Sequence, residues 1–488
     1  MIPTPLSNAI RTITCHPIYQ LIIQTMTYGF GSIVQKAMGL ILLPIYTRYL
    51  TPESYGVTAI LGVTALILGT ISVCALTNGI GRYFFYPDQE KTTIENVIWS
   101  PVFFVMGLSL IILVPVCFAA GPISVLLFNT DQYAYLVILT AIGVFITNLS
   151  GIGSSLLIFQ QRAMTLNILN ILNVIVGVVA GLFFVVFLQH GVNGVVEAGL
   201  LTSFVMVIPI LSLSLFQYHP AFSREILHKE LVFSLPLVAA LVAFLIIDSS
   251  SRYFLATYWP LSEVGLFNVG NNIGMVMAII VGGFTSAWPP YYHQHNQNGE
   301  GQSFCNNVLR VYLIVCSAGV VVLSLAAPFL LIILTTPQFY PAAIVVPFIA
   351  VAALLKGPYL IFLVGVQMKN KTDWQLGLEC LGAVVSILFN LALIPVLGGI
   401  GAAITLVISY SVLCIGAYWA VMRINPIPNL SKKFIITISG LTILIAGFMT
   451  GLTALHVATL WIDILIIVLF CATFLPMYHK EFGHLLKK

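Results

Sequence analysis

Read for hydrophobic and polar positions alone, the chain is a series of long apolar stretches joined by short polar corners. About 20 apolar residues cross a bilayer core as a helix. Fourteen stretches meet that length: 19–46, 54–80, 96–119, 132–158, 167–188, 195–217, 232–256, 263–288, 304–334, 341–366, 375–396, 400–422, 434–453 and 458–478. The pattern predicts an all-α polytopic membrane protein of about 14 transmembrane helices. Stretches 19–46 and 304–334 are longer than the core is thick, so they are expected to tilt or bend. The piece Pro122–Phe128 is too short to cross and is expected at the surface. Gly and Pro inside the stretches do not argue against helix, being common in membrane spans.

Two corners share one plan. In Leu50-Thr51-Pro52-Glu53-Ser54-Tyr55-Gly56, Thr51 is placed to cap a helix, Pro52 suits its first turn, and Glu53 favours its positive end. In Trp259-Pro260-Leu261-Ser262-Glu263-Val264-Gly265 a proline and an acid again precede a glycine, and Gly265 lies 209 residues after Gly56. A second echo is gapless: Gln160–Phe204 matches Gln367–Ser411 at a shift of 207, setting Arg162 on Lys369, Gly191 on Gly398 and Gly194 on Gly401. Six spans separate the mates, so both copies cross in the same sense. The expectation is a parallel repeat about an axis along the membrane normal. It divides the chain into an N-lobe at 1–228, a C-lobe at 229–430 and two appended helices at 431–488.

Composition sharpens this reading. Of 488 residues, 59% are hydrophobic and 7% charged, with mean hydropathy +1.05. Soluble domains carry about 25% charged residues. The first apolar stretch is too long for a leader core and lacks a small-residue cleavage site, so no cleaved leader is expected. With the N-terminus placed in the cytoplasm, fifteen of the 19 basic residues fall on the inner side, only Arg48 on the outer side, and Lys36, Arg252 and Lys356 inside spans. That bias puts both termini in the cytoplasm. The eight cysteines lack CxxC spacing and read as packing residues. No loop is long enough for a soluble catalytic domain, and neither GxxxxGK[ST] nor HExxH occurs. The chain is not expected to be an enzyme, to hold a metal or cofactor, or to bind nucleic acid.

Ionisable groups inside spans mark candidate function. Lys36 lies about 15 Å along its helix from Tyr46 at 1.5 Å per residue. It belongs to a polar face with Gln24, Thr25, Tyr28, Ser32 and Gln35, which must meet a water-filled cavity or other helices. Asp248 and Arg252 are spaced i,i+4 with the acid first, the favourable order for a pair on one helix. Asn268, Asn271 and Asn272 form a polar stripe on the next span. The expectation is that Lys36, Arg48 and Arg252, with Asn268 and Asn272, face a shared cleft between the lobes. Arg82, at the inner end of the second span, either receives a ligand from the cytoplasm or anchors the helix end. Lys356 and Glu379 form a structural pair or a proton path. Apart from Glu95 and Glu197 at span edges, the N-lobe spans hold no carboxylate. A cleft of that sign suits an anion, and guanidinium groups suit phosphate.

The corner Leu43-Pro44-Ile45-Tyr46-Thr47-Arg48-Tyr49-Leu50-Thr51-Pro52-Glu53-Ser54-Tyr55-Gly56, followed by Asn78-Gly79-Ile80-Gly81-Arg82-Tyr83-Phe84-Phe85, resembles the opening of the Wzx-type oligosaccharide flippases. These are polysaccharide transport proteins of the multidrug/oligosaccharidyl-lipid/polysaccharide (MOP) exporter superfamily. The helix count and the two six-helix lobes extend the resemblance over essentially the whole chain. It implies a MATE-like pair of lobes around a cationic cavity. It also implies passage of an undecaprenyl-pyrophosphate-linked oligosaccharide from the inner to the outer leaflet of a bacterial cytoplasmic membrane. The expected partners are that lipid-linked oligosaccharide, membrane lipids, and a polysaccharide polymerase with glycosyltransferases. Arg48 and Arg82 match the family pattern by position, whereas Lys36 and Arg252 rest on the charge argument. Two other readings compete: a multidrug/cation antiporter on the same fold, and a non-transporting scaffold for glycan synthesis enzymes.

Overall fold

The computed structural model describes residues 38–85, 93–282, 284, 288, 301–367, 372–424 and scattered positions between 440 and 451. These residues form helices and no strand. Helix α1 covers 38–49. It is followed by α2 (Pro52–Val73), α3 (Leu76–Phe85), α4 (Ile94–Phe118), α5 (Ala120–Phe128), α6 (Ala134–Phe159) and α7 (Ala163–Gly181). A π-helical turn, Leu182–Phe187, ends α7 and leads to α8 (Gly191–Ser214). The second half comprises α9 (Arg224–Ser249), α10 (Ser251–Tyr258), α11 (Leu261–Gly274), α12 (Gly301–Leu334), α13 (Val346–Gln367) and α14 (Thr372–Ile424).

Ten of these stretches are long and apolar enough to cross a membrane. They account for eleven of the fourteen predicted spans, because α14 runs through two of them. Its backbone breaks at Gly398, where φ is 56° and ψ −132°. The stretch 19–46 is described only from Met38 onward and 434–453 only in part, while 458–478 lies outside the described residues. The predicted span 232–256 is not one helix. Ser223 caps α9 by accepting from the Ile226 amide, so α9 begins ahead of the expected 232. The run Ser249-Ser250-Ser251 then interrupts it before α10. At this break the Ser250 hydroxyl accepts from Asn390 Nδ2 of α14 at 3.0 Å.

The repeat is visible in backbone geometry. Gly191 and Gly398, mates at the shift of 207, both take a positive φ, 57° and 56°. Only glycine does so without steric cost. The other echo becomes a contact between the halves. A methyl on Gly56 would overlap the Leu261 carbonyl oxygen and sit 3.2 Å from the Gly265 nitrogen. A methyl on Gly265 would overlap the Pro52 oxygen and sit 3.0 Å from the Gly56 nitrogen. Exchanging the halves maps this contact onto itself, since Leu261 is also 209 residues after Pro52. The two glycines therefore lie beside the local two-fold axis, and α2 and α11 cross backbone on backbone. Thr51 caps α2 as the sequence predicts, accepting from the Ser54 amide at 3.2 Å.

Around that crossing the halves share further bonds. Asn272 Nδ2 donates to the Tyr55 hydroxyl at 3.2 Å, Thr64 and Tyr253 hydroxyls meet at 2.8 Å, and Thr336 donates to the Thr47 carbonyl at 3.1 Å. The halves touch again at the opposite end of α2. There Gly79 of α3 lies against Glu230 and Ser234 of α9, and the Arg82 guanidinium sits 4.5 Å from the Phe233 ring centre.

Candidate functional site

Between those two contacts the first half contains a cavity of about 690 Å³, walled by α2, α6 and α8. Its polar groups include Thr58, Thr70, Thr147, Asn148, Ser155 and Ser203, and no charged side chain among the described residues lines it. Leu241 of α9 completes its edge from the second half.

The charged groups gather instead inside the second half. Arg252, buried on α10, donates Nε to Asn268 Oδ1 at 3.2 Å and Nη1 to the Asp248 backbone carbonyl at 3.3 Å. The sequence reading paired Arg252 with the Asp248 carboxylate. The structure gives that carboxylate to Lys356, whose Nζ is 3.2 Å from Oδ2, and to the Tyr410 hydroxyl, which bonds Oδ1. Lys356 also lies 4.4 Å from the centre of the Phe244 ring. Its ammonium is thus held by an anion and an aromatic face, two favourable environments away from bulk water. Lys356 and Glu379, expected as a structural pair or a proton path, are not paired with each other. Glu379 Oε1 accepts from Tyr359 at 2.7 Å and from Gln375 at 3.0 Å. Arg252, Asp248, Lys356, Tyr359 and Glu379 form a polar column along α9, α10, α13 and α14. The side chains of Lys356 and Asp248 stay 24% and 23% exposed, enough for water or a ligand to reach the pair.

The expected ring of cations is only partly assembled. Arg252 and Asn268 are joined, but Asn272 faces Tyr55 across the interface. Arg48 is exposed at the Pro52 end, unpaired among the described residues, and Arg82 is exposed at the far end of α2 against Phe233. Arg48, Arg82 and Arg252 are not among the residues that line the 690 Å³ cavity. Lys36 lies outside the described residues.

Sequence reasoning missed Glu230. It is fully buried in α9, and neither carboxyl oxygen has a partner among the described residues. The signal was helical spacing: Ile226, Leu227, Glu230 and Ser234 lie on one buried stripe. With the helix expected only from 232, Glu230 read as a loop residue.

A family model described as polysaccharide biosynthesis protein matches residues 45–339. The succinoglycan biosynthesis transport protein ExoT of Rhizobium meliloti (strain 1021) is 21% identical over 448 residues, which cover 88% of this chain and 84% of that protein. Among solved structures, the lipid II flippase MurJ in an inward closed conformation superposes with a TM-score of 0.72 at 14% identity, covering 94% of this chain and 99% of MurJ. An inward-facing multidrug resistance MATE family transporter of the MOP superfamily gives a TM-score of 0.64 at 21% identity, covering 81% and 96%. The fold is therefore the one that the resemblance implied, with helices in a MATE-like and MurJ-like arrangement. The family match takes in more than half of the chain, including both corners and eight predicted spans, the second to the ninth, and the chain belongs to the polysaccharide biosynthesis protein family.

Proposed function

We propose that the protein is a flippase for a polyprenyl-pyrophosphate-linked oligosaccharide, carrying a surface-polysaccharide repeat unit across a bacterial cytoplasmic membrane by alternating access. The observation that carries the reading is the family match over residues 45–339 on a fold whose halves meet at two opposite ends. The similarity to a succinoglycan transport protein and to the fold of a lipid II flippase supports it. With Arg82, Arg162, Arg224, Lys229 and Arg423 at one end and Arg48 at the other, the positive-inside bias puts the Arg82 end and both termini in the cytoplasm. The N-lobe and C-lobe then rock about the Gly56–Gly265 crossing and the Gly79–Ser234 contact in alternation.

Charge assigns the roles. Arg82 meets the pyrophosphate at the cytoplasmic end. Lys36 and Arg252, with Asn268 and Asn272, draw it between the lobes, and Arg48 receives it at the outer end. Asp248, Lys356 and Glu379 supply coupling. A phosphate approaching Lys356 competes with Asp248 for the ammonium, and a proton on Asp248 weakens the same pair, so ligand and proton act on one element. The lipid tail stays in the bilayer throughout. No catalytic chemistry is required of the chain.

The accessible Asp248 carboxylate on a MATE-like fold favours a cation antiporter as the second reading. A deletion strain separates the two. Loss of the flippase leaves lipid-linked oligosaccharide trapped on the cytoplasmic leaflet and depletes surface polysaccharide, rescued by the wild-type chain and not by Lys36→Ala. Normal surface glycan with altered drug resistance supports the antiporter.

A further inference from the structure

The apolar stretch 54–80 does not form one helix. Helix α2 ends at Val73 and α3 begins at Leu76. Between them Cys74 and Ala75 both take a positive φ, 49° and 53°. There the Cβ of an L-residue crowds a carbonyl oxygen, and the penalty is roughly 5- to 30-fold in population per residue. Asn129, Gln161 and Gln189 are the other described non-glycine residues with a positive φ, and each stands singly at a corner where a helix ends. Cys74 and Ala75 are consecutive, with helix on both sides.

The residue type sharpens the anomaly. Alanine is the strongest helix former and a poor choice for the left-handed region. A chain that held this break permanently would be better served by glycine. Alanine suits a segment that also exists as continuous helix.

The break separates two anchorages of one span. On its outer side, α2 carries Gly56, which crosses Gly265 of the second half backbone on backbone. On its inner side, α3 carries Gly79, where a methyl would sit 2.8 Å from Ser234 Oγ and 3.3 Å from the Glu230 carbonyl oxygen of α9. Leu76, Ile80 and Tyr83 of α3 share a buried cluster with Val97, Ile98 and Ile152, which fixes α3 to α4 and α6. The chain therefore makes both contacts with the second half, outer and inner, through a span that is bent between them. Val73, Ala75 and Thr77 line the lobe-one cavity, so open space borders the bend.

We infer that the Cys74–Ala75 break is a strained switch, formed while the halves touch at both ends and straightened when one end opens. Its strain falls on the doubly closed form and drives the chain out of it toward either open form. This deepens the proposed function and rests on its alternation between open ends, not on the identity of the cargo.

The test uses the full chain in lipid nanodiscs. Spin labels are carried by non-canonical amino acids, so that Cys74 is retained. One pair, Glu53 and Tyr258, spans the outer contact, and another, Phe85 and His228, spans the inner one; all four positions are exposed. Double electron–electron resonance reads the ratio of short to long distances at each pair. Ala75→Gly is expected to raise that ratio about 5- to 30-fold at both pairs, because it relieves the strain of the doubly closed form. Ala75→Asn should raise both by less, since asparagine tolerates the left-handed region, and Cys74→Val, β-branched, should lower both. Ala65→Gly, within regular α2, weakens the helix without relieving strain and should change neither. If the two pairs shift in opposite directions, if neither shifts, or if Ala65→Gly matches Ala75→Gly, the switch is refuted while alternation stands. A single distance at each pair in the wild type, with and without lipid-linked oligosaccharide, would sink alternation and the switch together.

Discussion

The crossing of α2 and α11 gives the sharpest mutational handle. At Gly56 an added methyl overlaps the Leu261 carbonyl oxygen and approaches Leu261 C at 3.0 Å and Gly265 N at 3.2 Å. Ordinary contact begins near 3.4 Å. No flexible side chain can move aside, because each opposing atom is backbone. Gly56→Ala must therefore push the two helix ends apart by on the order of 1 Å, at the cost of about 1–3 kcal/mol typical of overpacking. That cost falls only on states in which the crossing is closed. It shifts the balance toward states open at the Pro52 end by about 5- to 150-fold. Gly265→Ala acts on the mate of the same contact and should do the same. Spin labels at Glu53 and Tyr258, both exposed near the crossing, report the separation through double electron–electron resonance in lipid. The short-distance population should fall in both alanine variants and stay unchanged in Gly62→Ala, where the new methyl meets no described atom within 4 Å. Identical distance distributions in wild type and Gly56→Ala, with equal thermal stability, would refute the claim that this crossing is a closed gate.

Three further predictions concern stability. Lys356→Met removes one partner of the Asp248 pair and should cost near the lower end of the ~3–5 kcal/mol known for buried pairs, because both side chains are partly exposed. Adding Asp248→Asn should recover part of the loss, so thermal unfolding of the two single variants and the double variant must be non-additive. Gly398→Ala forces a side chain into φ 56°, ψ −132° and should destabilise by about 1–3 kcal/mol, read from the unfolding midpoint. Glu230→Met replaces a buried carboxyl that has no partner among the described residues by an apolar group of similar length and should stabilise by about 1–3 kcal/mol. A lower midpoint for Glu230→Met would show that the carboxyl has a partner in the folded state.

Much of the fold is readable in the chain because two signals in it are local. Apolar run length sets the spans, and eleven of the predicted fourteen fall on described helices. Glycine and proline mark the corners, and their echoes at 207 and 209 reappear as matched backbone angles and as the α2–α11 crossing. The site is less readable because its contacts are remote in sequence. The i,i+4 spacing of Asp248 and Arg252 suggested a local pair, but Lys356, 108 residues away, takes the carboxylate. Arg252 turns to Asn268 and a backbone carbonyl. Helix periodicity states which face a residue occupies, not which distant helix will cover it. Glu230 was lost to a misplaced helix start, although Ser223 followed by Glu225 is a readable start signal. The lobe-one cavity was beyond sequence reading, since a glycine packed against another helix, such as Gly153, and one with no described atom near it, such as Gly151, look alike in a string of letters.

The central claim is that the chain moves a lipid-linked oligosaccharide between leaflets. The most direct measurement reconstitutes the purified protein into liposomes containing a fluorescent undecaprenyl-pyrophosphate-linked oligosaccharide. An impermeant glycosidase then cuts only the glycans on the outside. With protein present, the pool protected inside should become cleavable over time, at a rate that rises with protein content and falls in Gly56→Ala. Persistent protection of that pool by well-folded wild-type protein, in vesicles where the same protein exchanges protons for a cationic drug, would contradict the account.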